Sequence, residues 1–362
     1  MKEKLRKSLH KMKLVFKNKY FLAIFFVVLL IGGFLIYREL TLPVNIPSIT
    51  FEKKPEVKDT KVSSRLLGKK VEPSELDKKV LAVVVENSPD ARPQSGLTKA
   101  SVVYETLAEG GITRFLALFQ ENDVSEVGPV RSARSFFVDW VLEHQAYFAH
   151  VGGNYEAIIL LKPLGIEDLN QFWNGSYFWR DSSRWAPHNV YTTSSNIRKA
   201  GVSRGYSKKS NFEGFSFKEE ASLDERPKSA NLTVNLSYSF APTYKYVRKG
   251  NYWLRFEDGV PFMDKKYKTQ IAPKNIVVQF TGFSYGVTKA GEQATRIKTV
   301  GRGKAWFFID GKKTVGTWSK KSRKATTKFF DKNNKELELN PGQTWIEVVP
   351  NGNSVVYSRS SK

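Results

Sequence analysis

Residues 80–120 read VLAVVVENSPDARPQSGLTKASVVYETLAEGGITRFLALFQ, and the apolar runs within them set the fold class. The run 80–85 (VLAVVV) is short, β-branched and followed by Asn87-Ser88-Pro89 turn chemistry, which predicts a buried strand. Residues 102–106 and 113–120 (TRFLALFQ) predict two more, separated by Gly110-Gly111. Further on, Gly128-Pro129 precedes a helical pattern. Ala133, Phe136, Phe137, Trp140, Val141 and His144 fall on one apolar face, which marks His144 as a core residue. Residues 146–151 predict a strand ending at Gly152-Gly153. Asn154 predicts the cap of a helix over 157–161, with Pro163 just beyond its end. Strands alternating with helices imply a mixed α/β layer structure over 80–225.

From about 226 to 362 the pattern changes to β-rich runs punctuated by turns: 236–247, 252–256, 275–280, 304–309, 314–318 and 344–349. Asp310-Gly311 between two of them is a hairpin signal, and Asn340-Pro341-Gly342 marks another turn. This part is expected to be mainly antiparallel, with Trp253, Trp306, Trp318 and Trp345 in its core. The chain is thus expected to be α+β.

N-terminal to both parts, residues 20–37 (YFLAIFFVVLLIGGFLIY) hold no charge, and residues 1–19 hold eight Lys or Arg and one Glu. Eighteen apolar residues suffice to span a hydrocarbon core. The positive-inside bias puts the basic tail 1–19 in the cytoplasm and everything after the anchor outside. A cleaved signal peptide has a similar pattern, but this run is long and no A-x-A-like site follows. Residues 38–79, interrupted by Pro43, Pro47, Pro55 and Pro73, read as a linker.

The chain has 362 residues, no Cys and a net charge of +23. The absence of Cys excludes disulfides, thiolate metal sites and lipid attachment at a cysteine. The charge is uneven. Residues 1–80 carry 18 basic and 8 acidic groups, residues 81–199 carry 10 and 13, and residues 200–362 carry 30 and 14. Anionic lipid, anionic wall polymer or nucleic acid could each meet such a surface. No recognisable nucleic-acid motif accompanies the basic third, so nucleic acid is the least expected partner.

The polar residues of 81–199 cluster. In GPVRSAR (128–134), Pro129 at a first helical position would place Arg131 and Arg134 on one face near a helix N-terminus. The helix dipole opposes cations there, so they need an anionic partner, either a ligand or the protein's own Glu. In YETLAEGGITR (104–114), a helix up to Gly110 would put Glu105 and Glu109 on one face, where they could act as acid and base or pair with the arginines. His150 in HVGGN could face a cleft through Gly152 and Gly153. The loop RDSSRWAPHNVY (180–191) packs Arg180, Asp181, Arg184, His188 and Asn189 together, a density typical of functional loops. No HExxH, GxxxxGK[ST], GxSxG or GxGxxG in a βα context occurs. No cofactor or metal is expected.

These segments, ENSPDARPQSGL (86–97), YETLAEGGITRFLALF (104–119), GPVRSARSFF (128–137), HVGG (150–153) and RDSSRWAPHN (180–189), resemble the YerB-like family of bacterial envelope proteins. GRGKAWFFIDGKKTVGTW (301–318) and NPGQTWIEVVP (340–350) resemble its second part. The resemblance spans about 80–357. It implies a membrane-attached, extracytoplasmic protein with an α/β part and a β-rich part, and it carries no established reaction. Its motif residues fall here on Glu105, Glu109, Arg114, Arg131, Arg134, His150, Arg180, Arg184 and His188. The family's lipobox Cys is replaced by an apolar anchor. The resulting expectation is a cleft in which Arg114, Arg131, Arg134, Arg180, Arg184 and Asn189 bind an anionic wall-related ligand. Glu105, Glu109, His150 and His188 are the candidates for hydrolytic or transfer chemistry. A non-catalytic wall-polymer or protein-binding scaffold uses the same cleft without chemistry.

Overall fold

The computed structural model describes residues 19–41 and 61–360. The chain divides into two compact units, residues 1–59 and 60–362. In the first, α1 (Lys19–Thr41) is a 23-residue apolar helix, four residues longer at its C-terminal end than the uncharged run. At 1.5 Å per residue it is about 34 Å long, enough to cross a bilayer. The rest of the basic tail and residues 42–60 lie outside the described residues.

The second unit is layered around one large sheet. Its first half supplies β1 (Leu81–Glu86), β2 (Val102–Leu107), β3 (Thr113–Phe119), β4 (Tyr147–His150) and β5 (Glu167–Asn170). Its helices are α2 (Ser135–Glu143), α3 (Tyr155–Leu161) and α4 (Ser194–Ser203). The second half is all strand: β6 (Ala230–Val234), β7 (Thr243–Val247), β8 (Tyr252–Glu257), β9 (Val260–Pro261) and β10 (Asn275–Thr281). It continues with β11 (Gly301–Ile309), β12 (Lys312–Lys320), β13 (Lys328–Asp331), β14 (Thr344–Pro350) and β15 (Val355–Arg359).

Ten strands form a mixed sheet in the order β13-β12-β11-β10-β14-β2-β3-β1-β4-β5. The boundary at 225/226 falls between a 3-10 turn and β6, and the sheet runs across it. Strand β14 of the second half lies parallel to β2 of the first, with Glu347 against Glu105. A separate five-stranded sheet, β9-β8-β7-β6-β15, belongs to the second half alone.

Both faces of the large sheet are covered, which is why its central strands read as continuous apolar runs. Period-2 alternation sends Leu81, Val83, Val85, Phe115, Ala117 and Phe119 into one core with α4 and the five-stranded sheet. It sends Ala82, Val84, Leu116 and Leu118 into the other, under α2 and α3. The Asn154 side chain accepts from Ala157 N at 3.0 Å and caps α3 as its position predicts. Asp310 and Gly311 have φ of 54° and 70°, the left-handed pair that a two-residue hairpin between β11 and β12 requires. Trp253, Trp318 and Trp345 are fully buried; Trp306 is half-buried beneath the Lys313 ammonium. His144 is buried, its Nε2 is 3.1 Å from the Tyr104 hydroxyl, and burial pushes it down to about 4.

The linker expected over 38–79 is corrected at both its ends, and residues 38–41 belong to α1. Residues 61–79 belong to the folded body. Val62–Ser63 pairs with Lys70–Val71, Leu66 is fully buried, and Arg65 meets Asp77 at 2.6 Å. Two leucines are too short a run to show a period, but they suffice to pin a segment against a large core.

The two sheets are joined through charge. Arg255 of β8, fully buried, donates from Nη2 to Glu105 of β2 at 2.8 Å and to Glu257 at 2.7 Å. Its guanidinium lies 4.0 Å from the Phe262 ring centroid and 5.1 Å from that of Trp345, and the Trp345 indole donates to Glu105 at 3.2 Å. Tyr244 of β7 donates its hydroxyl to Glu347 of β14.

Candidate functional site

Strands β1, β4 and β5 are mutually parallel. Their carboxyl ends therefore deliver three loops to one edge of the sheet: 87–96, 151–154 and 171–189. These loops carry the ENSPDAR, HVGGN and RDSSRWAPHN motifs. In open sheets with parallel strands, this edge is where ligands bind.

Glu86, the last residue of β1, organises the edge. Its Oε1 lies 3.0 Å from Arg131 Nε and its Oε2 lies 2.9 Å from His188 Nδ1. Ser88 Oγ is 3.4 Å from the same ring nitrogen. The backbone brings these residues together. Arg131 N donates to Val84 O at 2.9 Å, and Val130 N donates to Val190 O at 2.7 Å. His188 Nε2 and the Arg131 guanidinium make no hydrogen bond among the described residues, the Arg131 Nε contact with Glu86 being an ion pair only, and both side chains retain solvent contact. A carboxylate behind one ring nitrogen fixes the imidazole orientation and leaves the other nitrogen free for proton transfer.

Arg114 sits directly opposite Glu86 in the β1–β3 register. It is 8% exposed, and its one hydrogen bond is from Nη1 to Ser132 O at 3.0 Å. Its Nε is buried without a partner. Burial, then the charges of Arg134 and Arg131, push Arg114 down to about 9, although Glu109 and Glu86 oppose the shift. Nearby, Arg134 grips Glu109 with two hydrogen bonds, 2.5 Å from Nε and 2.6 Å from Nη2. Among the described residues, three guanidiniums thus share two carboxylates, and Arg114 is the one with no carboxylate in contact.

Loop 171–189 is pinned beside this cluster. Arg180 Nη1 donates to Asn189 Oδ1 at 2.7 Å, and Asn189 Nδ2 to Arg184 O at 3.1 Å. Arg184 Nη2 donates to Pro93 O at 2.7 Å. The Lys265 and Ser183 hydrogen bonds hold Asp181 well below the usual carboxylate range.

Several expectations are corrected. Residues 127–133 are extended, with bridges at Val127, Gly128, Val130 and Ala133. Helix α2 starts at Ser135 with Arg134 as its N-cap. Pro129 is therefore not a first helical residue, and the two arginines share no helical face; pairing with β1 and with Val190 outweighs local helix preference. The anionic partners of Arg131 and Arg134 are the protein's own Glu86 and Glu109. Glu105 and Glu109 share no face either. Glu105 lies in β2, and alternation turns it toward the five-stranded sheet and Arg255. His150 does not face a cleft: it is fully buried, with Nε2 2.8 Å from Asp168 Oδ1 and Nδ1 2.6 Å from Gly152 O. Both its nitrogens face acceptors. Glu86 and Ser88 were not among the expected site residues, although both lie in the ENSPDAR motif.

Family models for the N-terminal and C-terminal domains of DUF3048, a protein family of unknown function, match residues 66–207 and 232–346. The chain belongs to the DUF3048 family. It is 33% identical over 310 residues to "Putative lipoprotein YerB" of Bacillus subtilis (strain 168), covering 83% of this chain and 91% of that protein. The crystal structure of YerB from Bacillus subtilis superposes with a TM-score of 0.73 at 33% identity, covering 82% of this chain and 100% of that one. Kinship with a protein named as a lipoprotein and the apolar α1 together point to membrane association in the cell envelope.

The Arg134–Glu109 pair carries a pH signature. Burial alone would raise Glu109, but the Arg134 hydrogen bonds and charge outweigh it and hold the carboxyl below its ordinary 4.5. A depressed carboxylate stabilises the fold above its unfolded value, and that contribution is lost as pH falls through the folded one. Arg134→Gln should cost about 1.5–3 kcal/mol at pH 7. It should also flatten the loss of stability below pH 4.5, as read by urea unfolding across pH. An unchanged acid limb would contradict the assignment.

Proposed function

We propose that this protein is held in the membrane by α1 with residues 61–360 outside the cell, and binds an anionic wall-related ligand at the carboxyl edge of β1, β4 and β5. The observation that carries this reading is Arg114, a nine-tenths buried guanidinium beside two other arginines and, among the described residues, without a carboxylate partner. A buried surplus of positive charge is costly unless an anion completes it. The open Nη fork of Arg131 suits bidentate capture of a carboxylate or phosphate.

The Glu86–His188 pair favours a second reading, a hydrolase or transferase that acts on the bound ligand. His188 would shuttle the proton through Nε2 while Glu86 steadies the ring. Without that chemistry the same edge serves a wall-polymer or protein-binding scaffold.

The test is calorimetric titration of the full chain in zwitterionic nanodiscs with carboxylated and phosphorylated wall fragments. Arg114→Gln should weaken binding at least about tenfold, roughly 1.4 kcal/mol. Equal affinity of wild type and variant would refute the site. For the topology, protease added to intact cells should remove the folded body, and full protection of it would reverse the orientation.

A further inference from the structure

Loop 171–189 exposes an unusual set of rings. Phe172, Trp173, Trp179 and Trp185 are all exposed, Trp173 at 75% and Trp185 at 90%. A tryptophan left in water forgoes the burial that normally stabilises it, and clustered exposed apolar surface marks an interaction site. Here the exposure is built in. The loop is held by Arg184 on the carbonyls of Pro93 and Asp90, by Arg180 on Asn189, and by Lys265 on Asp181 at 2.8 Å. Trp185 closes the same turn as His188, whose N donates to Trp185 O at 2.9 Å. Trp179 lies opposite Tyr191 across a two-residue strand pair, with ring centroids 6.1 Å apart. Phe172 packs against Gly152, so close that a Cβ there would meet its ring at 2.9 Å. Backbone contacts tie two of the rings to segments of the cluster: Trp185 O accepts from His188 N, and Gly152, against which Phe172 packs, accepts from Ala133 N at 3.0 Å.

We infer that Trp185, Trp179 and Phe172 form a stacking shelf for the sugar rings of an acidic glycan whose anionic group reaches Arg131 and Arg114. The inference rests on the anion-site reading above and names its substrate class. Sugars offer flat C–H faces that pack on the electron-rich face of an aromatic ring, and hydroxyl edges that need hydrogen-bonding groups. This part of the molecule carries both kinds: rings at 172, 179 and 185, and polar groups at Arg180, His188 and Ser88. Charge complementarity selects an acidic glycan. A single-stranded nucleic acid also stacks on aromatics, but it needs a cationic track along its backbone. The excess Lys and Arg of this chain lie instead in residues 200–362 and in the tail.

The experiment uses the full chain in zwitterionic nanodiscs, with tryptophan fluorescence and calorimetry as readouts. The probes are a carboxylated amino-sugar oligosaccharide, inorganic phosphate, anionic phospholipid vesicles and oligothymidylate. Trp185→Ala should weaken the oligosaccharide at least about tenfold and leave phosphate within about twofold, and Trp185→Phe should restore much of the loss. Unchanged oligosaccharide affinity in Trp185→Ala overturns the shelf, whatever phosphate does. Trp185-dependent binding of vesicles or oligothymidylate without oligosaccharide binding overturns the ligand class. If oligosaccharide binding depends on Trp185 while phosphate does not bind the wild type, the shelf stands and the anion site falls. No binding of any probe by the wild type overturns both.

Discussion

Arg255 is the constraint around which the second unit is assembled. A guanidinium without solvent contact must be met by carboxylate and by ring faces, because leaving it unpaired is far more costly than pairing it. Its partners come from three places: Glu105 from the first family half, Glu257 from its own strand, and Trp345 from the strand that joins the halves. The five-stranded sheet is thereby fixed to the ten-stranded one at a single depth. Burial and the Glu105 charge push Glu347 well above the usual carboxylate range, so its carboxyl can rest beside the Tyr244 hydroxyl in the same layer. Glu105 is bound within this network, on the face of β2 that meets the five-stranded sheet.

The opposite face handles charge differently. Because β1 and β3 are antiparallel and in register at Glu86 and Arg114, alternation turns both side chains away from Arg255 and toward α2. There the carboxylates are outnumbered. Glu109 is taken by Arg134 and Glu86 is shared by Arg131 and His188, while Arg114 keeps one carbonyl. One face holds an ion network in which the Arg255 guanidinium touches two carboxylates through Nη2, while its Nε and Nη1 have no hydrogen-bond partner among the described residues. The other holds one at a sheet edge, beside a pinned aromatic loop.

The sequence reading succeeded where local pattern decides structure. The β1–β3 runs, the α2 apolar face, the Asn154 cap and the Asp310-Gly311 turn all follow from periodicity or backbone preference. It failed where a residue's surroundings come from far along the chain. GPVRSAR looks like a helix start, yet its backbone is taken up by Val84 and Val190. Glu105 and Glu109 are four apart, yet one faces each side of the β2 region. The glycines after His150 allow its ring to face a cleft, but it is buried against Asp168 from the neighbouring strand. Glu86 lies inside the ENSPDAR motif without a local signal of its role, because only the β1–β3 register and the return of loop 188–190 reveal what it touches.

Equilibrium unfolding of Arg255→Gln and Arg114→Gln, measured side by side in the full chain, tests the distinction between a guanidinium in carboxylate contact and one without it most directly. Arg255→Gln strands buried carboxylates and should lose about 3–5 kcal/mol. Arg114→Gln removes a charge that its surroundings already disfavour, and should leave stability unchanged or raise it. A loss for Arg114→Gln as large as that for Arg255→Gln would show that both arginines are scaffold, and would contradict the account.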